Sequence, residues 1–123
     1  FIILKEPTNA AIIFAEVFSD YYTCLETLFL RISKYFENCL DSKRWHADLL
    51  DKMTLDIPTV RTAVISHKSH MVLTEFLKFR HFRRYYFEYE YDWDRILYLR
   101  KKFKESLPRI RSEIEVFLQF LTN

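Results

Sequence analysis

Glycine is absent from all 123 residues, where an ordinary globular chain carries about 7%. Its absence removes every phosphate cradle built on a glycine-rich turn: there is no Walker A loop, no G-x-G-x-x-G and no glycine-rich kinase loop. The nucleophile elbow and most tight two-residue β-hairpins go with it, because both need backbone at positive φ. Nucleotide enzymes of the usual kinds and all-β folds are therefore disfavoured. Cysteine is sparse as well. Cys24 and Cys39 are the only thiols, and in what reads as one helix their spacing corresponds to about 22 Å, far beyond the reach of a disulfide. Free, semi-buried thiols suit a reducing cytoplasm. Long apolar runs are missing too, since the longest, Ala10 to Ala15, is stopped by Glu16, so no membrane span is expected. Nor does one charge sign dominate: 19 Lys and Arg stand against 17 Asp and Glu, a formal net charge of +2. Nucleic-acid binding by bulk charge is excluded, and only a local patch remains as a route to it.

What the chain does have is apolar and aromatic mass, with half its residues hydrophobic and 18% aromatic. A chain of this length buries roughly two-thirds of its unfolded surface and needs no metal or disulfide to fold. After Pro7 and Thr8, a plausible cap, apolar residues recur at Ala11, Phe14, Phe18, Tyr21, Leu25, Leu28, Ile32, Tyr35 and Cys39. Steps of three and four predict one long amphipathic helix, the spine of a bundle, with Glu16, Asp20 and Glu26 on its outer side. Off-seam residues such as Ile13, Val17, Tyr22 and Phe29 suggest a second buried face, which a dimer contact would cover. A break at 38–42 precedes a short helix carrying Trp45, Leu49 and Met53. Residues 57–65, with Pro58 and several β-branched side chains, read as an ordered connection. Ser66 or Ser69 caps a third helix running to about Tyr86, and the F-E-Y-E-Y stretch at 87–91 reads as a turn. Asp92 caps a helix from Trp93 to about Lys104, and Ser106 with Pro108 starts a final one. The expectation is an all-α antiparallel helical bundle of about five helices, one domain over 1–123.

The densest basic cluster is Lys78, Arg80, His81, Arg83 and Arg84, set among Phe76, Phe79, Phe82, Tyr85 and Tyr86. On a helix Arg80 and Arg84 stack at i, i+4 with Arg83 beside them. Such a cluster is stable only when neutralised. One solution is a phosphate chain held by charge-assisted contacts with stacking nearby; the other is internal pairing with Glu88, Glu90, Asp92 and Asp94. His81 is a candidate acid or base. His67 and His70 at i, i+3 have no carboxylate or thiol at ligand spacing, so no metal or other cofactor is expected. His46, next to Trp45, reads as a packing or capping residue.

The blocks W-H-A-D-L-L-D-K-M at 45–53, I-P-T-V-R at 57–61 and L-K-F-R-H-F-R-R-Y-Y-F-E-Y-E-Y-D-W-D-R at 77–95 resemble the HepT-like branch of the HEPN superfamily, small helical proteins of prokaryotic toxin–antitoxin operons. Members read F-R-H-x-x-R-[HN]-x-Y followed by E-L-D-x-x-R, and Phe79, Arg80, His81, Arg84, Asp92 and Arg95 fall on those positions. The resemblance implies a cytoplasmic homodimer that cleaves RNA without metal through an R-x4-H motif. The arginine would bind phosphate and the histidine would move protons. Its implied partner is an MNT-type nucleotidyltransferase antitoxin, which modifies the motif tyrosine. Arg80 occupies the arginine, with Arg83, Arg84 and Lys78 as further phosphate contacts. Tyr85, however, stands where the histidine belongs, and Phe87 where the tyrosine belongs. A phenol with a pKa near 10 is a poor base at neutral pH, and phenylalanine cannot accept a nucleotide. Tyr85 and His81 are the candidate substitutes. Beside a ribonuclease stand two further readings: a degenerate member that binds RNA or its partner without cleavage, and a helical interaction module.

Overall fold

Apolar side chains spaced alternately by three and four wrap α1 (Pro7–Phe36) onto its neighbours along most of its 30 residues, about 45 Å at helical rise. In the computed structural model, which describes residues 7–36, 43–81 and 93–122, three more helices follow: α2 (Trp45–Lys52), α3 (His67–His81) and α4 (Trp93–Thr122). α1 packs against all three others. Contacts between rings show how the long helices run. Phe14 meets Trp93, Tyr21 meets Phe103, and Phe36 meets Phe117, so α1 and α4 point the same way. α3 points the opposite way, because Ser69 near its start bonds Arg109 while Glu75 further on bonds Tyr98. The architecture is the expected all-α bundle.

The core follows Ala11, Ala15, Phe18, Tyr22, Leu25, Phe29 and Ile32 along α1. It is therefore rotated from the predicted seam toward residues expected to lie off it. Tyr22 and Phe29 are fully buried, whereas Tyr35 is exposed, as are Ile13 and Val17. Helical spacing alone identifies an apolar stripe, but a wide stripe leaves its centre undefined. Phe18 sits at the hub of the aromatic packing, with Phe76 and Phe79 edge-on at 5.4 and 6.0 Å. These T-shaped contacts match ring edges to ring faces.

Two boundaries differ from expectation. α1 begins at Pro7, so Thr8 lies within its first turn rather than capping it. α4 runs unbroken through Pro108, where the sequence predicts one helix ending near Lys104 and another starting at Ser106. Proline inside a helix removes one hydrogen bond and crowds the preceding turn, at a cost of about 3 kcal/mol. Here Pro108 is exposed, and the lost bond lies on the solvent face. Ile96, Leu99, Ile110 and Phe117 continue one buried stripe through it, so tertiary packing overrides the local break. Cys24 is a free, exposed thiol, not a semi-buried one. The expected turn at 87–91 and the cap at Asp92 lie outside the described residues, and α2 begins at Trp45 with Arg44 at its N-cap.

The connection 57–65 is ordered, as expected. Val60 N–H donates to the Ile57 carbonyl at 3.0 Å, with Pro58 and Thr59 between them and Thr59 at φ 66. This is the arrangement of a type II turn, whose third position favours glycine; in a chain without glycine, threonine takes it. Arg61 is buried and ties the loop down, donating to the carbonyls of Lys52 and Leu55 at 2.9 Å each. Ser66 caps α3 by accepting the Ser69 N–H at 3.2 Å, and Glu113 of α4 accepts from the Ser66 N–H and hydroxyl.

Tyr21 packs between α1 and α4 with its hydroxyl buried and no hydrogen-bond partner among the described residues. Burial, helped by the neighbouring Cys24, pushes its phenol up to about 12. The folded state thus holds this proton more tightly than the unfolded chain. The associated stability is complete below the unfolded phenol range near 10 and is lost as pH climbs toward the folded value. Tyr21→Phe removes both the ionisation and the unpaired hydroxyl. Its unfolding free energy in urea should equal or exceed that of wild type at neutral pH, by up to about 1 kcal/mol, and should fall less on raising the pH to about 11. A variant that weakens as steeply as wild type in alkali would show that the ring carries no such linkage.

Candidate functional site

Glu26 interrupts the buried face of α1 between Tyr22 and Phe29, and its side chain is only 9% exposed. A carboxylate so placed needs compensation. It comes from Arg80 on α3, 54 residues away in sequence. Phe76 and Phe79 anchor α3 in the core, which brings the neighbouring Arg80 against α1. The guanidinium forks onto both carboxylate oxygens, Nη1 to Oε1 at 3.0 Å and Nη2 to Oε2 at 2.9 Å. Nη1 also donates to Thr23 Oγ1 at 3.1 Å. Below it lies the Tyr22 ring, 4.9 Å from the guanidinium carbon, so the cation faces π-density as well as carboxylate. Burial raises the Tyr22 phenol and the Glu26 charge raises it further, against an opposing pull from Arg80. Planar, two-point pairing of this kind is the geometry in which a desolvated ion pair recovers most of its desolvation cost.

A third group joins from α2. His46 Nδ1 lies 2.8 Å from Glu26 Oε2 and 3.3 Å from Arg80 Nη2. The Trp45 ring covers the imidazole, with ring centroids 3.6 Å apart. Whereas Glu26 is buried, the His46 side chain is 46% exposed, so the trio grades from core to surface. Above it opens a cleft of about 610 Å³ between the start of α2 and α3, lined by Lys43, Arg44, His46, Lys78, Arg80 and His81 with Ala47 and Leu77. Four permanent cations and two imidazoles edge one concavity, an electrostatic focus for anions.

Of the residues singled out in the sequence, Arg80, His81 and Lys78 meet at this cleft. Tyr85, Arg83 and Arg84 lie outside the described residues. Glu26 is a correction: expected on the outer side of α1, it is buried, because the core face is rotated onto it. Arg80 finds its carboxylate there, in α1. His46 is more than a packing residue, since it bonds a carboxylate and lines the cleft. One signal for Glu26 was in the sequence, namely its position four after Tyr22 and three before Phe29, on one helical face. His70 does acquire a carboxylate, Asp51 at 2.7 Å, which ties α3 to α2. Among the described residues no group of three or more His, Cys, Asp or Glu converges as a metal site, and no helix is long and apolar enough to cross a membrane.

The buried pair yields a measurable signature. Glu26→Ala and Arg80→Ala each strand a buried charge, and each should cost about 3 kcal/mol in urea unfolding. Glu26→Met combined with Arg80→Met should cost far less than the two losses added together. Additive losses would mean that the two side chains contribute independently.

Compared with known proteins, residues 13–121 match the family described as HepT-like protein. No curated protein and no solved structure gives a significant match. The match covers nearly the whole chain, including α1 from Ile13 onward, the Glu26–Arg80 pair and both walls of the cleft. The chain belongs to the HepT-like branch of the HEPN superfamily.

Proposed function

We propose that this protein is the toxin-side member of a HEPN-type toxin–antitoxin pair and cleaves RNA, without metal, at the cleft between α2 and α3. The observation that carries the reading is the basic concavity around Arg80, in a chain of HepT-like family. A phosphodiester backbone is the polyanion such a rim suits, and Lys43, Arg44 and Lys78 are among the cations lining it. Arg80, forked onto Glu26, forms the floor of the cleft. Arg83, Arg84 and Tyr85 follow directly in sequence, as further phosphate contacts and a candidate hydroxyl. Family likeness supports a homodimer, with two clefts facing one substrate, and a nucleotidyltransferase of the MNT type as antitoxin partner. The Phe87 substitution means that any nucleotidylation would have to use another hydroxyl.

A second reading, binding of RNA or the antitoxin without cleavage, is favoured by two particulars. Tyr85 and Phe87 replace the motif histidine and tyrosine, and the Arg80 fork is already occupied by a carboxylate. Incubation with single-stranded RNA in EDTA separates the readings. Cleavage that survives chelation supports the ribonuclease, and retained binding without cleavage supports the second. Under either, Arg44→Ala with Lys78→Ala should weaken RNA binding and reduce the salt slope of log K by about 1.4, for two phosphate contacts on a single strand. An unchanged slope would place the RNA elsewhere on the surface.

A further inference from the structure

The cleft wall carries an imidazole bonded to a buried carboxylate, contributed by α2 and not by the arginine-bearing segment of α3. A carboxylate only accepts hydrogen bonds, so the 2.8 Å contact between Glu26 Oε2 and His46 Nδ1 places the imidazole proton on Nδ1. The longer approach of Arg80 Nη2 to the same nitrogen, 3.3 Å, is then that of two donors converging on one carboxylate oxygen. In the neutral ring the lone pair then lies on Nε2, at the opposite ring edge, and the ring is half exposed on the cleft wall. Burial of Glu26 and its fork with Arg80 fix the carboxylate, and Trp45 restricts the ring. A buried carboxylate orienting a surface imidazole through Nδ1 is the arrangement that makes histidine a directional base.

We propose that His46 is the general base of the RNA-cleaving site, oriented by Glu26, in a carboxylate–imidazole pair set beside Arg80. The proposal rests on the cleft being a ribonuclease site. In the step, the RNA 2′-hydroxyl gives its proton to His46 Nε2 while the 2′-oxygen bonds to the adjacent phosphorus. The bond from phosphorus to the 5′-oxygen breaks, and that oxygen takes a proton from water. The products are a 2′,3′-cyclic phosphate and a 5′-hydroxyl, and the imidazolium returns its proton to solvent. No oxidant, metal or cofactor enters the balance. The charge that develops on the phosphorane oxygens lies beside Arg80, with Lys78 and Arg44 at the rim.

The charged and titratable groups facing His46 are Glu26 from α1, Lys43 and Arg44 before α2, and Lys78, Arg80 and His81 from α3. The test uses the full chain in EDTA and compares wild type, His46→Ala and His46→Asn on single-stranded RNA across the pH range. Asparagine places an N–H close to the position of Nδ1, so it preserves the bond to Glu26 while removing the base. Thermal unfolding and RNA binding of this variant serve as controls for a merely structural role. The expected result is a loss of about 100-fold or more in turnover for both variants, with the acid limb of the wild-type pH profile gone. Added imidazole should restore part of the activity to His46→Ala, and wild-type products should end in cyclic phosphate. A His46→Asn variant that cleaves at the wild-type rate with the wild-type pH profile overturns the assignment of His46 and leaves the ribonuclease reading standing. Absence of cleavage by folded, RNA-binding wild type overturns both.

Discussion

The ion pair between Glu26 and Arg80 is the constraint on which the rest of the site depends. Two desolvated charges on separate helices restrict how α1 and α3 can meet, because a fork-on-fork contact tolerates little sliding or rotation. The Phe18–Phe76 and Phe18–Phe79 edge contacts bring the helices together, but apolar packing accepts small changes of register that a bidentate pair does not. With both helices so held, the first turn of α2 has a carboxylate on which to dock His46, and the cleft acquires a floor.

A chain without glycine solves its backbone problems in other ways. Its turn at 57–60 places threonine at positive φ and is held closed from behind by a buried arginine that gathers three carbonyls. One of its two 30-residue helices carries a proline on the solvent face rather than breaking there. In both places the tertiary environment absorbs a local conformational cost. The result is a scaffold of long helices, which suits a site assembled from the sides of three of them instead of from loops.

The functional pattern shows a similar displacement. By the sequence resemblance, Tyr85 falls where the family motif would carry histidine. In space an imidazole stands against Arg80, brought by α2 and bonded to a carboxylate from α1. Arg80 consequently belongs both to the fold and to the candidate chemistry. That double duty explains how an arginine can lie in a basic cleft with its guanidinium occupied: the Glu26 carboxylate neutralises it locally while the rim lysines and arginine keep the concavity positive.

By itself the sequence determined the helical class, the long first helix, the ordered connection at 57–65, the serine cap of α3 and the family, because each depends on local spacing, turn chemistry or contiguous motifs. It also marked Arg80, Lys78 and His81, since charge clustering is visible along one segment. It did not reveal the centre of the α1 stripe, the continuity of α4 through Pro108, or the meeting of Glu26, His46 and Arg80. Those were decided by which face of α1 the aromatic side chains of α3 and α4 covered. An amphipathic pattern as broad as this one permits several rotations of the helix, and only tertiary packing selects the one that buries Glu26 and so requires a cation and an imidazole from distant parts of the chain.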